Sequence, residues 1–150
     1  MASIRKEIFT TAQPADAWDA LRDVGALHTR LVPGFVTDTH LEPGARVVTF
    51  GNGMVVRELI VAIDEEQRRV VWSAIGGSMT HHNGSAQVFS DAQGLTRVVW
   101  IADLLPHEAA GAVGAMMEQG MAVMKRTLDR LADESKALDA AGGNAAATRG

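Results

Sequence analysis

Cysteine is absent from the 150 residues, which removes a disulfide framework, a thiolate nucleophile and a cysteine-ligated metal together. Long apolar runs are missing as well, none approaching the roughly eighteen residues of a membrane-spanning helix, so no membrane span is expected. Lys and Arg number 14 against 18 Asp and Glu, and the basic residues are scattered. A nucleic-acid binder would gather them into a patch, so no nucleic-acid partner is expected. The opening stretch from Met1 to Ile8 carries Arg5, Lys6 and Glu7 where a signal peptide needs an apolar segment. A cytoplasmic location is the default expectation.

Familiar reaction motifs are equally scarce. Ser73, Ser78, Ser85 and Ser90 stand in no Gly-x-Ser-x-Gly context, which argues against a serine hydrolase. Gly51-Asn52-Gly53 has a strand-like segment on either side and no helix behind it, so it reads as a hairpin turn and not as a phosphate-binding loop. No His-Glu-x-x-His spacing occurs among the histidines; neither a metal nor a cofactor is expected.

What the chain does contain is the composition of one folded domain: 47% hydrophobic and 21% charged residues, with mean hydropathy +0.03. Residues 4–11 are β-branched and aromatic, a first strand. Pro14 suits the first turn of a helix, and Ala15, Trp18 and Leu21 follow at helical spacing. After Gly25, residues 27–31 resume that pattern until Pro33-Gly34 forces a turn. From Phe35 onward, turn residues recur every eight to twelve positions, at 42–44, 51–53, 64–67, 76–77 and 91–94. Six further strands are expected between them, over 35–40, 46–50, 54–63, 68–75, 81–89 and 96–103, an antiparallel meander.

The last element has the clearest pattern. Ala110, Val113, Gly120, Met121, Met124, Leu128 and Leu131 all fall within about 60 degrees of Met117 at helical periodicity. Glu118, Gln119, Lys125, Arg126, Asp129, Arg130 and Asp133 occupy the other side. A long helix over about 107–134 must therefore lay its apolar stripe on the sheet. Gly114 and Gly120 each weaken it by about 1 kcal/mol relative to alanine, so close packing or room for a ligand should explain them. Residues 1–134 are expected to form a single domain and 135–150 a flexible C-terminal tail.

A strand, two short helices, six more antiparallel strands and a long C-terminal helix make an α+β arrangement that resembles the helix-grip fold of the START-like, or SRPBCC, superfamily, in particular its polyketide cyclase/dehydrase-like branch. The matching residues are Gln13 to Trp18, the Arg57-Glu58 pair with Asp64 closing its strand, Arg68 to Trp72, Gly94 to Trp100, and the final helix; they cover about residues 3–134. The resemblance implies a curved seven-stranded antiparallel sheet wrapped around the helix, enclosing an apolar cavity for a lipid, polyketide or aromatic molecule. Carriers, receptors and enzymes all occur in that superfamily.

Strand alternation places Val70, Trp72 and Ala74 on one face, and Val98, Trp100 and Ala102 on another that also meets the helix. Trp72 and Trp100 are either core fillers or cavity wall. Met117, Met121 and Met124 share that ambiguity, since a methionine stripe serves a core or an adaptable pocket equally well. Resemblance and alternation together put Glu58 inward with Val56, Ile60 and Ala62. A buried carboxylate needs a partner, so Glu58 is a ligand anchor, an acid/base, or one half of an ion pair with an arginine such as Arg46. His81 and His82 leave their strand on opposite faces, and only one can point inward. Geometry permits His28, His40 and that histidine to approach each other at a cavity mouth. His28 and His82 are carried forward as ligand-binding candidates, and Glu58 and His82 as candidate catalytic residues.

The opposite face of the sheet is unexpectedly apolar, with Leu59, Val61, Val71, Ile75, Val99 and Ile101, which points to a homodimer through the convex surface. Three readings follow. The first is a binder of a small hydrophobic molecule held between sheet and helix. The second is a polyketide-type cyclase or dehydratase using Glu58 and a cavity histidine as acid and base, and the third is an interaction protein with a filled interior.

Overall fold

Each turn signal in the sequence marks a chain reversal in the computed structural model, which describes residues 2–76 and 78–147. Strand β1 (Ala2–Thr10) leads into helix α1 (Pro14–Arg22) and a π-helical turn at Leu27–Leu31. Strands β2 (Val36–Glu42), β3 (Ala45–Phe50), β4 (Val55–Asp64), β5 (Arg69–Ile75), β6 (His81–Ser90) and β7 (Thr96–Leu105) follow. A 3-10 turn at His107–Ala109 then opens into α2 (Ala110–Ala147). All seven expected strands are present, their ends shifted by at most two residues. They form one antiparallel sheet in the order β1-β7-β6-β5-β4-β3-β2, the meander closed by β1 pairing with β7.

The sheet curves around the apolar stripe of α2, where Val113, Met117, Met121, Met124 and Leu128 are all buried. Polar contacts fix the helix along β1: the Thr10 hydroxyl donates to Asp129 Oδ1 at 2.6 Å, and Lys125 Nζ donates to the Phe9 carbonyl at 2.7 Å. Helix α1 is held from the other side, its Trp18 Nε1 and Arg22 Nε both donating to the Glu65 carboxylate at 2.7 Å. Among the described residues no helix is long and apolar enough to cross a membrane.

Three expectations need correction or refinement. The helix does not stop near residue 134 but continues to Ala147, through residues expected to be aperiodic tail. Residues 136–141 there are all exposed, Leu138 by 74%, so tertiary packing does not hold this part of the extension. Ala137, Ala140 and Ala141 have the highest intrinsic helix propensity, and adding turns to an existing helix avoids the nucleation cost. The expected tail's residues 148–150 lie outside the described residues.

Ala62 does not share the inward face of Glu58. A bulge between Ile60 and Ala62 inserts Val61 as an unpaired residue and reverses the alternation, leaving Ala62 exposed. Of the two glycines in the helix stripe, only Gly120 has a packing reason. A Cβ there would lie 2.9 Å from the Phe35 ring and 3.0 Å from that of Trp100, whereas one at Gly114 would meet Ile4 at an ordinary 3.9 Å.

Candidate ligand cavity

Beneath the C-terminal half of the stripe, sheet and helix leave a cavity of about 60 Å³. Its apolar wall comes from four sources: Leu21 from α1, Leu27 and Leu31 from the π-helical turn with Val32 just after it, Val48, Val70 and Ala86 from the sheet, and Met124 from α2. Trp72 and Trp100 complete it, their ring centroids 6.3 Å apart. Trp72 reaches this position because Gly84, its cross-strand neighbour on β6, has no side chain; a Cβ would fall 2.3 Å from the indole. The ring therefore lies close against the sheet.

One polar pole interrupts the wall. Arg46 and Glu58 are directly opposite in the β3–β4 ladder, and Arg46 Nε donates to Glu58 Oε1 at 2.8 Å with both side chains buried. The guanidinium also donates to the Val24 carbonyl at 3.3 Å and sits 5.2 Å from the centre of the Trp72 ring. A hydrogen bond, a carbonyl and a π-face together offset the desolvation of the arginine. Only Oε1 of Glu58 is taken by a hydrogen bond among the described residues. The indole N–H of Trp100 is buried without an acceptor. Polar atoms in that state are rare in folded proteins and are ready partners for a ligand.

Four of the sequence candidates thus meet at the cavity: Glu58, Trp72, Trp100 and Met124. The others are placed elsewhere. Met117 fills a separate cluster with Ala2, Ala102, Leu104 and Val113, and Met121 packs within the main core. His82 shares the inward face of β6 with Gly84, Ala86 and Val88, which settles the choice between the adjacent histidines, but it does not line the cavity. Burial pushes the His82 imidazole below the usual histidine range; the Glu58 carboxylate pulls it up and His81 adds to the depression. His28 lies half-buried on the π-helical turn with Nδ1 lacking a partner, again outside the lining. His40 is exposed on edge strand β2. Among the described residues no three His, Asp or Glu side chains come together as a metal site would require, so the histidine cluster that geometry permits does not form.

The sequence reading missed Phe35 and Phe50. Their rings meet edge to face with centroids 5.5 Å apart, and they line both the cavity and a larger cleft outside it. Each lies beside a turn, Phe35 after Pro33-Gly34 and Phe50 before Gly51-Asn52-Gly53. An aromatic residue at each of two turns was the available signal.

Residues 1–136 match the family described as polyketide cyclase / dehydrase and lipid transport. The chain belongs to that family. No curated protein matches the sequence. Among solved structures, an uncharacterised protein from Bacillus thuringiensis superposes with a TM-score of 0.76 at 14% identity, covering 85% of this chain and 98% of its own. A START superfamily protein from Mycobacterium smegmatis gives 0.65 at 10% identity over 88% and 97% of the two chains. Norcoclaurine synthase from Thalictrum, in a mutant form with a transition-state analogue, gives 0.68 at 21% identity over 90% and 96%. At these identities the superpositions establish the helix-grip fold that this polyketide cyclase / dehydrase family member adopts, while specific chemistry lives in the site.

Proposed function

We propose that this protein binds a small, largely hydrophobic molecule between the sheet and α2. Family membership supports a ligand-binding or cyclase role. The observation that carries the binding reading is the apolar cavity whose wall holds one satisfied ion pair and Trp100, a residue whose indole N–H has no acceptor. Small-molecule sites have this character, mostly apolar with a few placed polar groups. At about 60 Å³ the cavity holds only a few waters, so a larger ligand must displace wall residues. Met124, Leu27, Leu31 and the two phenylalanines are the side chains able to do so.

A cyclase or dehydratase using Glu58 and His82 is the second reading. It is favoured by the influence of the Glu58 carboxylate on the inward-facing His82. Against it, His82 lies outside the lining and Arg46 engages Glu58 directly.

Native mass spectrometry of the freshly purified protein, followed by solvent extraction, tests the first reading. An added mass of a few hundred daltons is expected, and a protein that neither carries nor takes up any apolar molecule would overturn it. The same spectrum counts subunits. Exposed Val55, Val61 and Ile75 on the sheet support self-association through the convex face. A dimer agrees with that proposal, and a monomer at micromolar concentration ends it.

A further inference from the structure

The cleft outside the cavity is the larger space, about 420 Å³, bounded by the 33–35 turn, the β3–β4 hairpin and one side of α2. Phe35 and Phe50 are its inner wall and the outer wall of the cavity, so two rings separate the compartments. The two segments that carry those rings meet at a defined backbone junction. The Gly51 N–H donates to the Phe35 carbonyl at 2.9 Å, and a Cβ on Gly51 would lie 2.6 Å from the Gly34 carbonyl oxygen, so the hairpin sits tight on the turn.

The chemistry of the two spaces differs. In the cleft the polar lining is Arg126, Gln119 and Asn52, with no carboxylate. Asn52 Oδ1 accepts from the Met54 N–H at 2.9 Å, which leaves its amide NH2 as the free end. Lys125, the neighbouring cation, is engaged by Asp129 and by the Phe9 carbonyl. Arg126 is exposed and has no salt bridge among the described residues. A cationic, donor-bearing cleft therefore adjoins an apolar chamber through a partition of two rings. A guanidinium presents paired donors that match a carboxylate.

We infer that the cleft is the head-group compartment of a two-part site: Arg126 receives the carboxylate of an anionic amphiphile whose apolar body passes Phe35 and Phe50 toward Trp72 and Trp100. This rests on the hydrophobic-ligand reading above and adds the charge and direction of the ligand.

Calorimetric titration of the wild-type protein and Arg126→Gln with dodecanoate and with uncharged 1-dodecanol tests it. Arg126 is exposed, so the variant should fold, and a thermal melt checks that it does. The wild type should prefer dodecanoate. Arg126→Gln should weaken dodecanoate about five- to tenfold and leave dodecanol unchanged. Added salt should narrow the wild-type preference. Equal dodecanoate affinity in the two proteins, or a parallel loss for dodecanol, overturns the head-group assignment while the cavity reading stands. If neither compound binds the wild type, the head-group assignment fails, and the cavity reading fails with it only if the purified protein also carries and takes up no other apolar molecule.

Discussion

Helix α2 offers one apolar stripe to one sheet, yet the two ends of that contact are built differently. Toward β1 and β7, Met117 and Leu104 have no exposed surface, and with Ala2, Ala102 and Val113 they form a solid cluster. Two turns further along the same stripe, Met124 borders the cavity. Trp100 stands between the two ends, packed against both clusters. The methionines are the same residue type on the same face of one helix. What differs is the opposing surface: small alanines close on Met117, whereas near Met124 the bulk of Trp72 is drawn against the sheet at Gly84. Whether a stripe becomes core or pocket is decided by what faces it.

The sharpest way to break this contrast is at the polar pole, which only the cavity end has. Replacing Arg46 with Met leaves Glu58 buried without its partner, and urea denaturation should register a loss of about 3–5 kcal/mol. A loss below about 1 kcal/mol would mean that water reaches the carboxylate and that the cavity end is open. A pair of methionine truncations compares the ends directly. Met117→Ala should cost about 2–4 kcal/mol with dodecanol binding unchanged, because it empties a closed cluster. Met124→Ala should cost about 1–2 kcal/mol, since one flank already faces free volume, and should alter dodecanol affinity. Equal stability losses with equal binding would erase the distinction.

The smallest effect concerns pH. His82 is pushed down chiefly by burial, so the folded protein favours its neutral form, while the unfolded chain takes up the proton near the ordinary value of 6.5. The unfolded state thus binds more protons in the window below 6.5. Stability should be whole above that pH and fall as pH drops through the lower, folded-state pKa. His82→Gln should flatten this part of the profile, seen as a reduced shift of the denaturation midpoint between pH 7 and 5. An unchanged profile would place the titrating group elsewhere.

The strands were legible because each stretch of β-branched and apolar residues is bounded by Gly, Asn or Asp, and because the meander pairs neighbours in sequence. The Arg46–Glu58 pair was legible too, as one of the alternatives that burial of Glu58 demanded. The phase reversal after Ile60 was not, since the alternation of β4 carries no mark of an inserted residue until β5 pairs with it. Nor was the helical extension past residue 134, where alanine propensity acts without an amphipathic pattern.

From the sequence alone come the element order, the inward tryptophans and the long final helix, because these follow from local periodicity and turn chemistry, and the fold class followed from the family resemblance that this order carries. The tertiary structure decided the rest. It joined Phe35 to Phe50, separated Met117 from Met124, turned His82 inward and set Arg126 above a carboxylate-free cleft. Each of these depends on how surfaces distant in sequence meet, and a volume left between two packed elements is a property of neither one.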